Sequence, residues 1–459
     1  MNFICIIIQK RWKLLNFLNL SNTIGTIDEK GSVIMKPLNA CDKQTLEKLY
    51  AQELSKLEDC KKMGLKLDMS RGKPSKVQLD VAADLLRVIT KPEECFDGNI
   101  DARNYGELAG LPCARAYWAD VLGCKPEQTV VGGTASLNLM FDVIARAFSH
   151  GLLGSPKPWC KEDTVKFLCP SPGYDRHFRI TQFFGAELIT VPMTATGPDM
   201  ALVEELVNDP AVKGIWCVPK YSNPDGIIYS DETIDRLASM KTAAPDFTIL
   251  WDNAYCVHEF EGEFVPFRDM IAVCAQAGNP NRVFEFASTS KITLAGGGIS
   301  VVAASVENIQ YLLKLMGNQI ISHDKVNQLR HVRYLKDKAH TLEIMKQHAT
   351  LMAPKFRVVL DMLEQEIAPL EIAQWNRPKG GYFVSFNAMP GTAKRTLQLC
   401  KEAGVTMTDA GATFPYGIDP QDSNIRIAPS LPPVEELKQA MEIFCICLKI
   451  STLEKLLNI

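Results

Sequence analysis

Between residues 115 and 305, short apolar runs recur at 129–131, 165–169, 186–191, 214–219, 248–252, 283–287 and 299–303, with amphipathic stretches of helical period between them. The runs are nearly continuous rather than alternating. Strands buried on both faces need that composition, so the pattern predicts a mainly parallel sheet covered by helices. Upstream, residues 45–62 predict an amphipathic helix and 65–69 a short strand, which ends in the turn Ser70-Arg71-Gly72-Lys73-Pro74 with its two cations. From 306 to about 366 the chain reads as helix with few breakers, long enough to bridge two domains. After Pro378 the texture becomes an α+β layer: an apolar run at 381–386, a helix near 392–403 and a second run at 423–428.

The predicted fold class is therefore α/β, with a large sheet-and-helix domain and a smaller α+β domain. Residues 1–34 read as an extension, 35–95 as the first part of the small domain, and 96–320 as the large domain. Residues 321–459 supply the bridging helices and the rest of the small domain. A chain of 459 residues exceeds what one simple core accommodates, which agrees with two domains. Sheets of this kind bind ligands at the carboxyl ends of their strands.

Charge and cysteine usage narrow the function classes. A net charge of -3 gives no basic surface for nucleic acid or anionic membrane. Fourteen cysteines are scattered without a CxxC pair, many in apolar runs, which predicts a reducing and hence cytoplasmic setting. No apolar run approaches a membrane span. At the N-terminus, the apolar residues 4–8 precede the cations Lys10, Arg11 and Lys13, the reverse of the order in a secretory signal.

Candidate chemistry lies where the apolar runs end. The segment Val131-Gly132-Gly133-Thr134-Ala135-Ser136 turns a strand into a helix. Its free amides and the helix dipole suit an anion, although the same residues make an ordinary cap. Asp252 closes the run 248–252, with Tyr255 three residues on. A carboxylate there can cap a helix, bind a metal, or hold a proton on a ring nitrogen. Asn223-Pro224 follows the run 214–219 and reads as a turn, and Tyr174 follows 165–169 as a stacking face or as loop packing. Arg426 sits in a late apolar run, where its guanidinium needs a carboxylate from a ligand or a structural partner. Lys291, in Ser288-Thr289-Ser290-Lys291, is placed to form a Schiff base or to be a plain surface charge.

Taken in order, Tyr105-Gly106, Gly133-Thr134, Tyr174, Asn223-Pro224-x-Gly226, Asp252-x-x-Tyr255, Ser288-x-Ser290-Lys291 and Arg426 resemble the fold-type-I pyridoxal-phosphate-dependent aminotransferases of class I/II. The resemblance runs from about Lys66 to Ala440. It is closest to a divergent aspartate aminotransferase subgroup related to the aminotransferase-like part of MocR regulators. The resemblance implies pyridoxal 5'-phosphate as cofactor, with Lys291 forming the Schiff base and shuttling a proton between substrate and cofactor. It implies that Asp252 pairs with the pyridine nitrogen, that Tyr255 and Asn223 bond the ring oxygen, and that Tyr174 stacks on the ring. It places the phosphate on Gly133, Thr134, Ala135 and Ser288, and the substrate carboxylate on Arg426, with Gly72 giving room beside it. It implies a homodimer in which Tyr105 reaches the neighbouring subunit's phosphate.

Two positions depart from the family pattern. Asp225 replaces a threonine in the turn, and Gly296-Gly297-Gly298-Ile299-Ser300 replaces a segment that commonly carries a phosphate-binding arginine. Ser290, Thr293, backbone amides near the glycines, or a cation from elsewhere are the expected substitutes. The implied activity is ping-pong transfer of an amino group between an L-amino acid and a 2-oxo acid, best L-aspartate and 2-oxoglutarate. Arg71, Lys73, Arg176 and His177 are candidates for the second carboxylate. The same lysine and ring would also serve a β-decarboxylase or a carbon–sulfur lyase. A non-catalytic ligand-sensing regulator would need a DNA-binding domain ahead of the fold, and only about 65 residues precede the Gly72 turn.

Overall fold

The computed structural model describes Gly25–Ile27 and residues 33–459, so the apolar and basic residues near the N-terminus lie outside the described residues. Eight strands form one sheet in the order β1-β8-β7-β6-β5-β2-β3-β4. These are β1 (Thr129–Val131), β2 (Lys166–Ser171), β3 (Glu187–Thr194), β4 (Gly197–Pro198), β5 (Val212–Cys217), β6 (Thr248–Asp252), β7 (Val283–Ser288) and β8 (Ser300–Ala304). All run parallel except β4 and β8.

The direction of β8 follows from loop length. The segment from Thr289 to Ile299 is too short for the crossover that a parallel neighbour needs, so the chain turns back beside β7. That return loop carries Lys291.

Side chains of successive sheet residues fall into two separate cores. Leu168, Ile215, Ile249, Trp251 and Val301 enter one cluster. Their neighbours Phe167, Trp216, Leu250, Phe284 and Val302 enter the other. Both faces are thus dry, which is why the strands read as unbroken apolar runs. Full burial of each such side chain contributes about 1.5–3 kcal/mol before the entropy cost of ordering it.

A third core joins the two ends of the chain. Leu46 and Leu57 of α1 (Lys43–Lys62) pack with Val359 and Leu363 of the bridging helix, and with Phe444 and Cys447 of the C-terminal helix. Phe386, Ile425 and Ile427 come from a three-stranded antiparallel sheet of β9 (Ala373–Trp375), β10 (Val384–Ala388) and β11 (Asn424–Ile427). The predicted strand at 65–69 shrinks to Leu67–Asp68, paired in parallel with Val405–Thr406.

The long helical stretch resolves into Val306–Met316, Lys325–Leu335 and Lys338–Glu366. The second break falls at Lys336, at φ 60°, where Asp337 restarts the helix by accepting from the backbone amide of His340. Neither residue breaks a helical pattern by type, so the sequence texture hid the joint.

Candidate active site

The loops leaving β2, β5, β6 and β7 at their carboxyl ends, together with β11, enclose a cavity of about 650 Å³. Nine of the residues to which the resemblance gives a role line it: Lys291, Asp252, Tyr255, Ser288, Ala135, Tyr174, Asn223, Arg426 and Gly72. The further candidates Ser290, Arg71, Lys73 and Arg176 line it too. Residues far apart in the chain meet because the sheet order gathers strand ends that are distant in sequence.

Lys291 rides on a tight turn in which Thr289 O accepts from the amides of Ile292 and Thr293. Its Nζ lies 4.9 Å from the Tyr255 ring centroid and 5.8 Å from that of Tyr382. Burial pulls the Lys291 ammonium below its ordinary value, and the Asp252 carboxylate opposes that shift. A deprotonated amine is the nucleophilic form. Tyr382 was not foreseen; it is held by Gln78, whose Nε2 donates to its hydroxyl at 3.1 Å.

Asp252 ends β6 with its two oxygens in different circumstances. Oδ2 is 2.9 Å from His177 Nε2, while Oδ1 is buried with no partner among the described residues. His177 lies flat on Trp216, at 4.4 Å and 7°, with Tyr174 edge-on at 4.9 Å. The expectation that His177 faces a substrate carboxylate is thereby corrected: it is buried and spent on Asp252. No spacing rule links residues 177 and 252, so only the packing of the first turn of the helix Asp175–Phe183 on the sheet reveals the pair.

Arg426 enters from β11. Its Nη1 donates to Asn223 Oδ1 at 3.3 Å and stands 3.6 Å from Asp175 Oδ1, and its Nη2 donates to Thr408 Oγ1 at 3.4 Å. The guanidinium lies 4.8 Å over the Phe383 ring, and Nε is buried without a partner among the described residues. Of the two alternatives for this arginine, both are present: it has a structural counter-ion and it opens on the cavity. The role of Gly72 changes too. A Cβ there would meet Phe383 Cζ at 2.5 Å, so the missing side chain makes room for the ring that underlies Arg426.

At the opposite end, Gly133 and Thr134 do not line this cavity; they are half-buried and exposed, respectively, beside Ala135 and Ser136, which do. Their carbonyls accept from Ser300 Oγ at 2.8 Å and Ser290 Oγ at 3.4 Å, respectively. A Cβ on Gly133 would touch nothing within 4 Å, so space is open beside it. The helix Ser136–His150 begins without a side-chain cap, leaving its first amides for another acceptor. Ser288 donates to Ser290 at 3.1 Å, and both line the cavity. Thr293 is corrected as a phosphate donor: it is buried and bonded to His331 Nε2 at 3.0 Å. The carbonyls of Gly297 and Gly298 are taken by Asn327 Nδ2. Tyr105 is 80% exposed and does not line this chain's cavity.

The donor set fits pyridoxal phosphate. A half-buried amine, an acceptor without a partner, a buried tyrosine face and a hydroxyl-rich helix start surround a space large enough for it. Among the described residues no His, Cys, Asp and Glu cluster could hold a metal ion, and no helix is long and apolar enough to cross a membrane.

Comparison with known proteins agrees with this geometry. The profile of the aspartate amino-transferase family matches residues 42–459. The chain is 48% identical to the aspartate aminotransferase of Corynebacterium glutamicum over 403 residues, covering 88% of this chain and 93% of that protein. The crystal structure of an aspartate transaminase from C. glutamicum superposes with a TM-score of 0.90 at 46% identity, covering 92% of this chain and 99% of that one. The α-aminoadipate aminotransferase of Thermus thermophilus, complexed with N-(5'-phosphopyridoxyl)-L-leucine, shares the fold at a TM-score of 0.69 and 20% identity. It covers 87% of this chain and 95% of that one. The chain belongs to the aspartate aminotransferase family, the pyridoxal-phosphate-dependent aminotransferases of fold type I.

Proposed function

We propose that the protein transfers the amino group of L-aspartate to 2-oxoglutarate in two half-reactions of a ping-pong cycle. The observation that carries this reading is one cavity lined by Lys291 and Arg426 and also by Arg71, Lys73, Arg176 and Arg179. A dicarboxylate needs a cation at each end, and this cavity has them to spare. The name of the C. glutamicum relative supports the same choice of substrate.

Arg426 clamps the α-carboxylate, its guanidinium pre-positioned by Asn223, Thr408 and the Phe383 ring. Bound pyridoxal phosphate supplies an electron sink for charge that develops at the α-carbon. Asp252 keeps a proton on the ring nitrogen, and His177 fixes the carboxylate's orientation. Lys291 Nζ, whose ammonium burial pulls below its ordinary value, takes the α-proton and returns it on the other side of the transfer. Tyr174, Tyr255 and Asn223 line the cavity, where Tyr174 would pack against the cofactor ring and Tyr255 and Asn223 would bond its hydroxyl oxygen. The uncapped start of the helix after Ala135, together with Gly133, Thr134, Ser288 and Ser290, would hold the phosphate.

The exposed Tyr105 supports a homodimer in which this side chain completes the neighbour's site. The thirteen cysteines found free among the described residues support a reducing, cytoplasmic setting. The proposed domain division is an extension at 1–34, the first part of the small domain at 35–95, the large domain at 96–320, and the bridging helices with the rest of the small domain at 321–459. The test is single-turnover conversion of the bound cofactor to its aminated form by L-aspartate, followed by reversal with 2-oxoglutarate. Reaction with neither would overturn the substrate reading.

A further inference from the structure

The cavity of an enzyme for acidic substrates contains an acid of its own. Asp175, the first residue of the helix Asp175–Phe183, lines the cavity. Its oxygens face different guanidinium groups. Oδ1 is 3.6 Å from Arg426 Nη1, and Oδ2 is 3.9 Å from both Arg176 Nε and Arg179 Nε. A carboxylate in the first turn of a helix is ordinary, and the dipole accounts for its being there. The dipole does not account for a carboxylate divided between the arginine at one end of the substrate space and two more arginines beside it.

The three contacts are longer than charge-assisted hydrogen bonds, at about 2.7–2.9 Å, and none is bidentate. They neutralise the guanidinium groups without engaging them, so a ligand that makes shorter, paired bonds can replace them. Arg426 keeps a buried Nε with no partner among the described residues, a donor that Asp175 leaves unused.

Resting on the dicarboxylate reading above, we infer that Asp175 is a built-in stand-in for the substrate: it holds Arg426 for the α-carboxylate and Arg176 with Arg179 for the distal carboxylate, and the substrate displaces it. The distal carboxylate is thus bound by cations of the same chain as Lys291. Removal of Asp175 would otherwise leave three guanidinium groups with mutual repulsion and no anion between them. Selectivity follows. A dicarboxylate replaces Asp175 at both ends, whereas a monocarboxylate replaces it only at Arg426 and leaves the other contacts in competition. Asp175 is a specificity-determining residue and takes no part in the bond changes.

The test uses holoenzyme and maleate, a rigid four-carbon dicarboxylate, titrated by its effect on the cofactor absorption band. D175N, which keeps the shape and loses the charge, should bind maleate about tenfold more tightly and show a lower KM for L-aspartate. R176Q/R179Q should raise KM for L-aspartate by about tenfold or more while moving KM for L-alanine by less than about twofold. Unchanged or weaker maleate binding in D175N, in enzyme that is folded and carries its cofactor, overturns the inference. So does an equal loss for aspartate and alanine in R176Q/R179Q. In both cases wild-type enzyme still reacts with L-aspartate. Wild-type enzyme inert to L-aspartate instead sinks the substrate reading, and this inference with it.

Discussion

Replacing Gly72 with alanine tests how the substrate arginine is supported. The backbone at Gly72 is not in the left-handed region, so alanine meets no strain there and only space decides. Its Cβ would stand 2.5 Å from Phe383 Cζ and 2.9 Å from Cε1. Ordinary carbon contact begins near 3.5 Å, so the ring must retreat by about 1 Å. Phe383 is 7% exposed and has core on its other sides, so the overpacking costs about 1–3 kcal/mol of stability. The same movement takes the ring from under the Arg426 guanidinium, now at 4.8 Å, and forfeits about 0.5–2 kcal/mol of cation–π support. In binding terms that is about 2- to 30-fold in KM for the amino donor, with kcat changed far less. Steady-state kinetics and thermal unfolding of the holoenzyme read both effects. Adding F383L should relieve the clash and recover stability while KM stays high. A G72A enzyme with wild-type KM and stability, or one that loses kcat at constant KM, would refute this account of Gly72.

Further outcomes separate cofactor binding from folding. G133A adds a methyl that meets nothing within 4 Å, so apoenzyme stability should move by less than about 0.5 kcal/mol while pyridoxal phosphate binds about tenfold more weakly; equal affinity in a fluorescence titration would remove Gly133 from the phosphate site. H177A strips Asp252 Oδ2 of its partner and should cost the apoenzyme about 1–3 kcal/mol in urea unfolding; no loss would show that the pair is not formed. Burial pushes Glu285 up from 4.5 to about 8, with Asn253 opposing, so the folded state favours the protonated acid. Stability from this group is full below pH 4.5, falls as pH rises toward 8, and levels off above. E285Q should therefore stabilise the protein at pH 9 by up to about 5 kcal/mol and hardly at all at pH 4, and an equal effect at both pH values would contradict the burial argument.

The sheet was legible because its strands are buried on both faces. Ile249, Leu250 and Trp251 alternate between two dry cores, and so their run stands out as apolar throughout. Residues at strand ends were legible for the same reason: Asp252, Asn223 and Lys291 follow runs that could be located. The reversal of β8 was also encoded, in the shortness of the Thr289–Ile299 loop, although an apolar run carries no direction. What escaped were pairings across the fold. His177 with Asp252, Asp175 with Arg426, and Gly72 with Phe383 join residues 75 or more positions apart, and no local period connects them. Thr293 was assigned to the phosphate by proximity to Lys291, but the turn at Thr289 points it toward His331.

The most direct test of the central claim is covalent attachment of pyridoxal phosphate to Lys291. Purified protein mixed with pyridoxal phosphate should develop a visible absorption band, which borohydride fixes to a peptide containing Lys291. K291A should remain folded and show neither the band nor the labelled peptide. A band of full intensity in K291A, or label found on another lysine of the wild-type protein, would contradict the account.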